Sequence, residues 1–382
     1  MEGSRVVLVQ RPEELEPYLP AWEDLAADAL EKNVFYEPWM LLPALRLWGD
    51  RDDIVLVLFL TTEGINGSSR ERLAGIFPLQ FQTHYREVPV RTLKLWQHDY
   101  CFLSTPLVRH HGAERTVKAF LDWLAVNPFD AALMEFHDIE GDGAFHNLLI
   151  GELRRRRQRA CAMDSYTRPV LTRRADGETY LSESLTKKRR KELNRLRRRL
   201  ADCGRLECLE LERSHDLPIW IDNFLKLEAA SWKGRAGSAM KLDAASREFF
   251  TTTLLEAFGH GRLMMLGLFL DGRPIAMKCN LLAAPGSFAF KIAYDETLGR
   301  FSPGVQLEIE NIRHFHRKSP IQWMDSCTAV EDHFMMNHLW RDRRNIQTLT
   351  VATGPWSGDL VLSVLPIRQW IRRNVKERFL GR

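Results

Sequence analysis

The chain has 382 residues, 45% hydrophobic and 27% charged, a soluble balance with length enough for two ordinary domains. Its longest apolar run, Ile54 to Leu60, is far too short to span a bilayer, and MEGSRVVLVQRPEELE lacks the regions of a secretory leader. The formal charge of +4 hides a split: Lys187–Arg199, KKRRKELNRLRRR, carries nine basic residues and one acid, which leaves the remainder at −4. The six cysteines are scattered without a C-x-x-C, which suits reduced thiols in a cytoplasmic protein and predicts no metal.

In chain order, helical patterns at Glu13–Ala29 and Pro38–Trp48 precede two strand-like runs, Asp52–Thr62 and Glu71–Gln82, joined by a Gly/Asn/Ser turn. Arg91–Trp96 reads as a strand, Glu114–Val126 as a helix, Ala131–Phe136 as a strand and Ala144–Arg157 as a helix. Leu181–Ala201 reads as one helix, with leucines on a narrow face and Lys or Arg almost everywhere else.

The second half repeats the plan. Helices at Leu217–Ala230 and Ala244–Phe258 precede Gly261–Leu270 and Arg273–Ala283, which Asp271-Gly272 joins as a hairpin. Strand Ser287–Tyr294, helix Gly304–His316, strand Ile321–Ser326, short helix His333–Trp340 and strand Ile346–Val351 follow. A basic helix, Asp359–Phe379, closes the chain. Helix, helix, hairpin, strand, helix, strand therefore occurs twice, the pattern of a duplicated α/β unit.

The step from Ser287–Tyr294 into Gly304–His316 passes through Ser302-Pro303-Gly304. Ser302 has the chemistry of an N-cap, and Pro303 sits where a missing N–H costs nothing. Gly304 leaves bare backbone at a helix start, where amides and dipole favour an anion. Two readings stand here, a capped structural helix and a phosphate site.

Three stretches taken together carry a resemblance: YDETLGRFSPGVQLE after a strand, EAASWKGRAGSA (Glu228–Ala239) and LTKKRRKELNRLRRRL (Leu185–Leu200). They resemble the CelD-like, cellulose-biosynthesis-type acetyltransferases of the GNAT superfamily, on the duplicated branch shared with FemAB-type aminoacyltransferases. The likeness covers residues 170 to 350, and the first half only in outline. It implies a mixed α/β fold of two tandem GNAT-like domains, 1–170 without a donor site and 171–382 with one, the basic helix 181–201 belonging to the second. In such folds a central strand splays from its neighbour, pantetheine enters the gap as a pseudo-strand, and the pyrophosphate rests on the next helix start.

The resemblance implies acetyl-CoA or another acyl-CoA as donor, with Arg300, Ser302, Gly304 and Val305 at its phosphates. Arg300–Val305 departs from the superfamily loop Q/R-x-x-G-x-G/A, having one glycine and a proline that removes a donor. For catalysis Tyr294 is the candidate donor to the leaving thiolate, and Asp295, Asp325 and His333 are candidate proton acceptors. Trp232, Lys233, Arg235 and Lys291 are candidates for binding the acceptor. Each also has a structural reading as a cap, helix end or half-buried side chain.

The implied activity is transfer of an acyl group, acetyl by default, to an amine or hydroxyl of a small molecule or saccharide in bacterial exopolysaccharide or cell-envelope synthesis. The alternatives are a FemAB-like transferase that holds charged tRNA on the basic helix, and a non-catalytic scaffold of a polysaccharide synthase. For the basic run itself, a solvated flank ranks first, peripheral contact with the inner membrane face or a polysaccharide synthase second, and tRNA third.

Overall fold

The computed structural model describes residues 4–49, 53–65, 68–126, 129–317, 321–328, 334–354 and 356–364. The elements begin with β1 (Ser4–Val9), α1 (Leu19–Ala27), α2 (Pro38–Trp48), β2 (Ile54–Ile65), β3 (Ser68–Gln82), β4 (Thr92–Leu95) and β5 (Leu107–Val108). Next come α3 (Ala113–Val126), β6 (Leu133–Glu140), α4 (Ala144–Arg156), β7 (Ala160–Thr172), α5 (Gly177–Ser184), α6 (Lys187–Ala201) and β8 (Leu206–Glu210). The rest are α7 (Leu217–Ala230), α8 (Trp232–Arg235), α9 (Ala244–Gly259), β9 (Leu263–Leu270), β10 (Arg273–Ala283), β11 (Gly286–Tyr294), α10 (Pro303–Arg317), β12 (Trp323–Asp325), α11 (Phe334–Leu339) and β13 (Asp342–Ala352).

These elements form two compact units, one of described residues in 1–38, 48–166 and 345–382, the other of those in 39–47 and 167–344. In unit 1 the strands run β1-β2-β3-β4-β6-β13, antiparallel except at the parallel β4/β6 junction. In unit 2 they run β8-β9-β10-β11-β12-β7, again antiparallel except at the parallel β11/β12 junction. Four antiparallel strands, one parallel step and a closing antiparallel strand thus occur twice, as the duplicated sequence pattern predicts. The last strand of each sheet is drawn from elsewhere in the chain. β13 closes unit 1, and the last residues of β7, Val170–Thr172, close unit 2.

The helix-on-sheet core of unit 1 is dry. Phe120 of α3 stacks on Phe77 of β3 with centroids 4.0 Å apart, and Phe59, Phe136 and Phe145 surround them. Each such ring contributes about 1.5–3 kcal/mol on burial. In unit 2 the inner stripe of α10 reads Glu308, Asn311, Ile312, Phe315, all buried at helical spacing, yet two of the four are polar.

The basic segment is two helices rather than one. Leu185 is extended, and the Thr186 hydroxyl accepts from the Arg189 amide at 3.2 Å, capping a fresh helix. Leu193, Leu196 and Leu200 form its buried face. Of the strands unread in the sequence, β1, β5, β7 and β8, the first and last lie at the outer edges of the strand order, where short half-exposed runs give weak alternation. The expected C-terminal helix Asp359–Phe379 is helical as far as residue 364, and from 365 on it lies outside the described residues.

Candidate functional site

The parallel junction of unit 2 pairs Gly286, Ser287 and Phe288 with Trp323, Met324 and Asp325. Gly286 is required there, because a Cβ would come within 2.1 Å of the Trp323 ring. β12 then stops, while β11 runs on from Ala289 to Tyr294, still paired with β10 on its other edge. At the divergence β11 carries a bulge. Cys279 faces Lys291 and Leu281 faces Phe288, so Ala289 and Phe290 together oppose Asn280. Among the described residues no strand pairs with that edge of β11 beyond Phe288, and a strand so placed, with a bulge at the mouth of the gap, can accept an extended ligand as a further strand.

Under β11 lies a polar network made entirely of buried side chains. The Lys278 ammonium meets Glu308 Oε2 at 2.7 Å, with the two side chains 1% and 0% exposed. Glu308 Oε1 also accepts from Asn311 at 2.8 Å and from the Trp340 indole at 3.0 Å. Asn280 donates to Asn311 at 2.8 Å, while its own buried Oδ1 has no hydrogen-bond partner. A buried pair like this gains little net stability over an apolar core, although breaking it is costly. None of these residues was singled out in the sequence. The available signal was Lys278 in the apolar run PIAMKCNLLA, together with two polar positions on the inner stripe of α10.

The predicted site residues fall into three places. Tyr294 lies against the start of α10: a Cβ at Gly304 would sit 2.8 Å from its ring, so the tyrosine fills the space the glycine leaves. Pro303 and Gly304 are buried, Val305 is half-buried and Arg300 exposed, its guanidinium 4.7 Å from the Phe301 ring centroid. Ser302 is not an extended capping residue. It adopts left-handed backbone, φ 54° and ψ 56°, as the closing residue of the 3₁₀ turn Glu296–Phe301, and its carbonyl accepts from Gln306 to open α10. The helix start is therefore more crowded than Ser-Pro-Gly implies.

Asp295 caps that 3₁₀ turn, accepting from the Thr297 amide at 2.9 Å, and is ion-paired with Arg273. The same turn anchors the SWKGR segment. Glu296 accepts from the Trp232 amide at 3.0 Å and from Arg235 at 2.6 Å. Lys233 turns inward to Glu228, 2.8 Å away and 1% exposed, while Trp232 is 54% exposed. Arg235, Asp295 and Glu296 line a cleft of ≈ 410 Å³ with Arg273 and Lys226. Lys291 is half-buried on β11 beside Phe290.

Asp325 stands apart. It pairs with Phe288, roughly 20 Å along the strand from Tyr294 at about 3.3 Å per residue, so the two cannot act on one atom. Fully buried, its carboxylate meets Arg168 and Arg344 at 2.8 Å and accepts from the Cys327 amide at 2.8 Å. Burial alone would raise its pKa, but the two guanidiniums more than offset this and hold it below the ordinary aspartate value. It is a carboxylate held by two guanidiniums and one backbone amide. His333 lies outside the described residues.

Residues 187–335 match the family model described as an acetyltransferase (GNAT) domain. The mixed sheet flanked by helices is GNAT-like in its arrangement. A conserved protein of unknown function from Bacteroides thetaiotaomicron superposes with a TM-score of 0.53 at 8% identity, over 91% of this chain and 100% of that one. A crystal structure of FemX gives 0.53 at 10% identity, over 88% of this chain and 94% of that one. At such identities the likeness is one of fold. No curated protein matches the sequence. Among the described residues no helix is long and apolar enough to cross a membrane, and no group of three or more His, Cys, Asp or Glu is placed to hold a metal ion.

Proposed function

We propose that the chain is an acyl-CoA-dependent N- or O-acyltransferase whose donor lies in the gap between β11 and β12, with acetyl as the default group. The observation that carries this reading is the extension of β11 past the end of β12, with a bulge at the divergence. Unit 1 has the same parallel step, but β4 ends at Leu95, one residue beyond its last pair with β6, and offers no such platform. Donor binding by the second half alone, as the division 1–170 and 171–382 anticipates, is part of the proposal.

The residues present fit the donor unevenly. The open edge of β11 suits the pantetheine arm, which carries amides able to pair with a strand. The helix start suits the diphosphate less, because Pro303 lacks an N–H and the Tyr294 ring abuts Gly304. When bound, the donor supplies an activated thioester. Tyr294 and the cleft of Arg235, Asp295 and Glu296 flank the end of β11, where Tyr294 would protonate the leaving thiolate and Trp232 would hold the acceptor. We assign the acceptor to an amine or hydroxyl of a saccharide or envelope precursor, with the protein in the cytoplasm or at the inner membrane face. A FemAB-like use of charged tRNA is the second reading, favoured by the unpaired cations of α6.

Thermal unfolding with and without excess acetyl-CoA tests the proposal. A native-state ligand at a hundred times its Kd adds about 2.7 kcal/mol, a clear rise in Tm. Arg300→Glu, an exposed change, should shrink that rise without lowering the ligand-free Tm. No rise in the native protein rejects acyl-CoA as donor.

A further inference from the structure

Helix α6 packs along α10. Gln306 donates to the Leu193 carbonyl at 3.0 Å, and Arg197 meets Glu310 at 3.0 Å. This brings Arg199 to the Phe301 ring, 5.9 Å from its centroid, on the ring that Arg300 also covers. The basic face thus begins at the entrance to α10 and runs away from it. Arg195 is paired with Glu192 on the same helix. Among the described residues Lys187, Lys188, Arg189, Arg190, Lys191 and Arg198 carry no salt bridge. No exposed large hydrophobic residue lies on α6, so the face has nothing to insert into a bilayer, and no aromatic to stack on bases.

We infer that the donor thioester reaches unit 2 on the phosphopantetheine arm of a small acidic carrier protein docked on the basic face of α6. The inference rests on the acyltransferase reading and refines its donor, a carrier protein taking the place of the nucleotide of coenzyme A. Coenzyme A and a carrier protein share the arm and differ in what bears it. The β11/β12 gap suits the arm, whereas the crowded start of α10 is a poor seat for the diphosphate that coenzyme A alone carries. A cationic helix beside that entrance complements an acidic helical surface and steers its approach. In the transfer the acyl carbon–sulfur bond breaks, a bond to the acceptor nitrogen or oxygen forms, and the proton lost by the acceptor ends on the pantetheine thiol.

The test compares three probes on the full chain: an acetylated bacterial holo-carrier protein, the same carrier without its arm, and acetyl-CoA. Binding is measured by anisotropy at low and high salt for the native chain and for Lys187→Glu/Lys191→Glu/Arg198→Glu, with circular dichroism as the folding check. The armed carrier should bind more tightly than the armless one, and the triple variant should weaken it by about tenfold more than it weakens acetyl-CoA. Should the triple variant not fold, Lys187→Gln/Lys191→Gln gives the same contrast at smaller size. Binding of acetyl-CoA without the carrier, or equal losses for both, overturns the inference. So does salt-sensitive binding of a structured RNA that the variant loses while the carrier never binds. Failure of both thioesters removes the acyltransferase reading itself.

Discussion

Unit 1 and unit 2 build the same helix-on-sheet interface from opposite materials. Unit 1 seals α3 on its sheet with stacked phenylalanines, whereas unit 2 places Lys278, Glu308, Asn280 and Asn311 at the corresponding layer under α10. The architecture therefore does not need the ion pair in order to fold. The unit that keeps the costly version is the one whose central strand runs past its parallel neighbour. A polar layer there fixes the helix and strand in one register and supplies a low-dielectric field beneath the gap, which an oily layer cannot do.

The largest expected effect separates the two sheets. Leu349→Pro, in the strand that closes unit 1, should cost roughly 3 to 5 kcal/mol through a lost ladder bond and a lost buried side chain. Hydrogen exchange should show β3 and β6 deprotected while β10 and β11 stay protected. Equal deprotection of both sheets would dissolve the two-unit description. Next, Lys278→Ala strands Glu308 in the core and should cost about 3–5 kcal/mol. The pair Lys278→Met with Glu308→Gln, which preserves acceptors for Asn311 and Trp340, should return to within about 1 kcal/mol of native in urea unfolding. A double variant as unstable as the single would break the comparison with the dry core of unit 1.

A smaller effect concerns acid. Because the folded pKa of Asp325 lies below its unfolded value near 3.8, its stabilising contribution is complete above that value and is lost as pH falls through the folded one. Removing a guanidinium raises the folded pKa. Arg168→Met should therefore move the acid-unfolding midpoint to higher pH, and an unchanged midpoint would show that Arg344 alone holds the anion. Smallest of all, Trp232→Ala at an exposed position should alter stability by less than about 0.5 kcal/mol, with its effect confined to acceptor KM.

Much of the architecture was legible because its patterns are local. Leu217–Ala230 carries an amphipathic period, Pro38–Trp48 is an almost wholly apolar run of helical length, and the hairpin at Asp271-Gly272 has its turn written in two residues. β7 escaped because ACAMDSYTRPVLT alternates between half-exposed and polar positions until its last few residues. The break at Leu185-Thr186 hid inside a run whose composition favours helix on both sides. At the candidate site, adjacency in sequence was readable: the turn after Tyr294 and the SWKGR segment do meet, through Glu296. The Lys278–Glu308–Trp340 cluster was not, since its members lie on β10, on α10 and just after α11. Nor was the crowding at Gly304, which follows from where the Tyr294 ring points.

The closing strands also set a timetable for synthesis. The edge of β6 that finally receives β13 is made by residue 140, yet its partner begins only at residue 342. At about 5–20 residues per second the ribosome leaves that edge open for roughly 10 to 40 s. The exposed ladder contains Met134, Phe136 and Ile139, all fully buried once the sheet is complete. For that interval the nascent first half is a template for strand addition by any passing chain, and a chaperone that covers the edge of β6 would be spent on every molecule made.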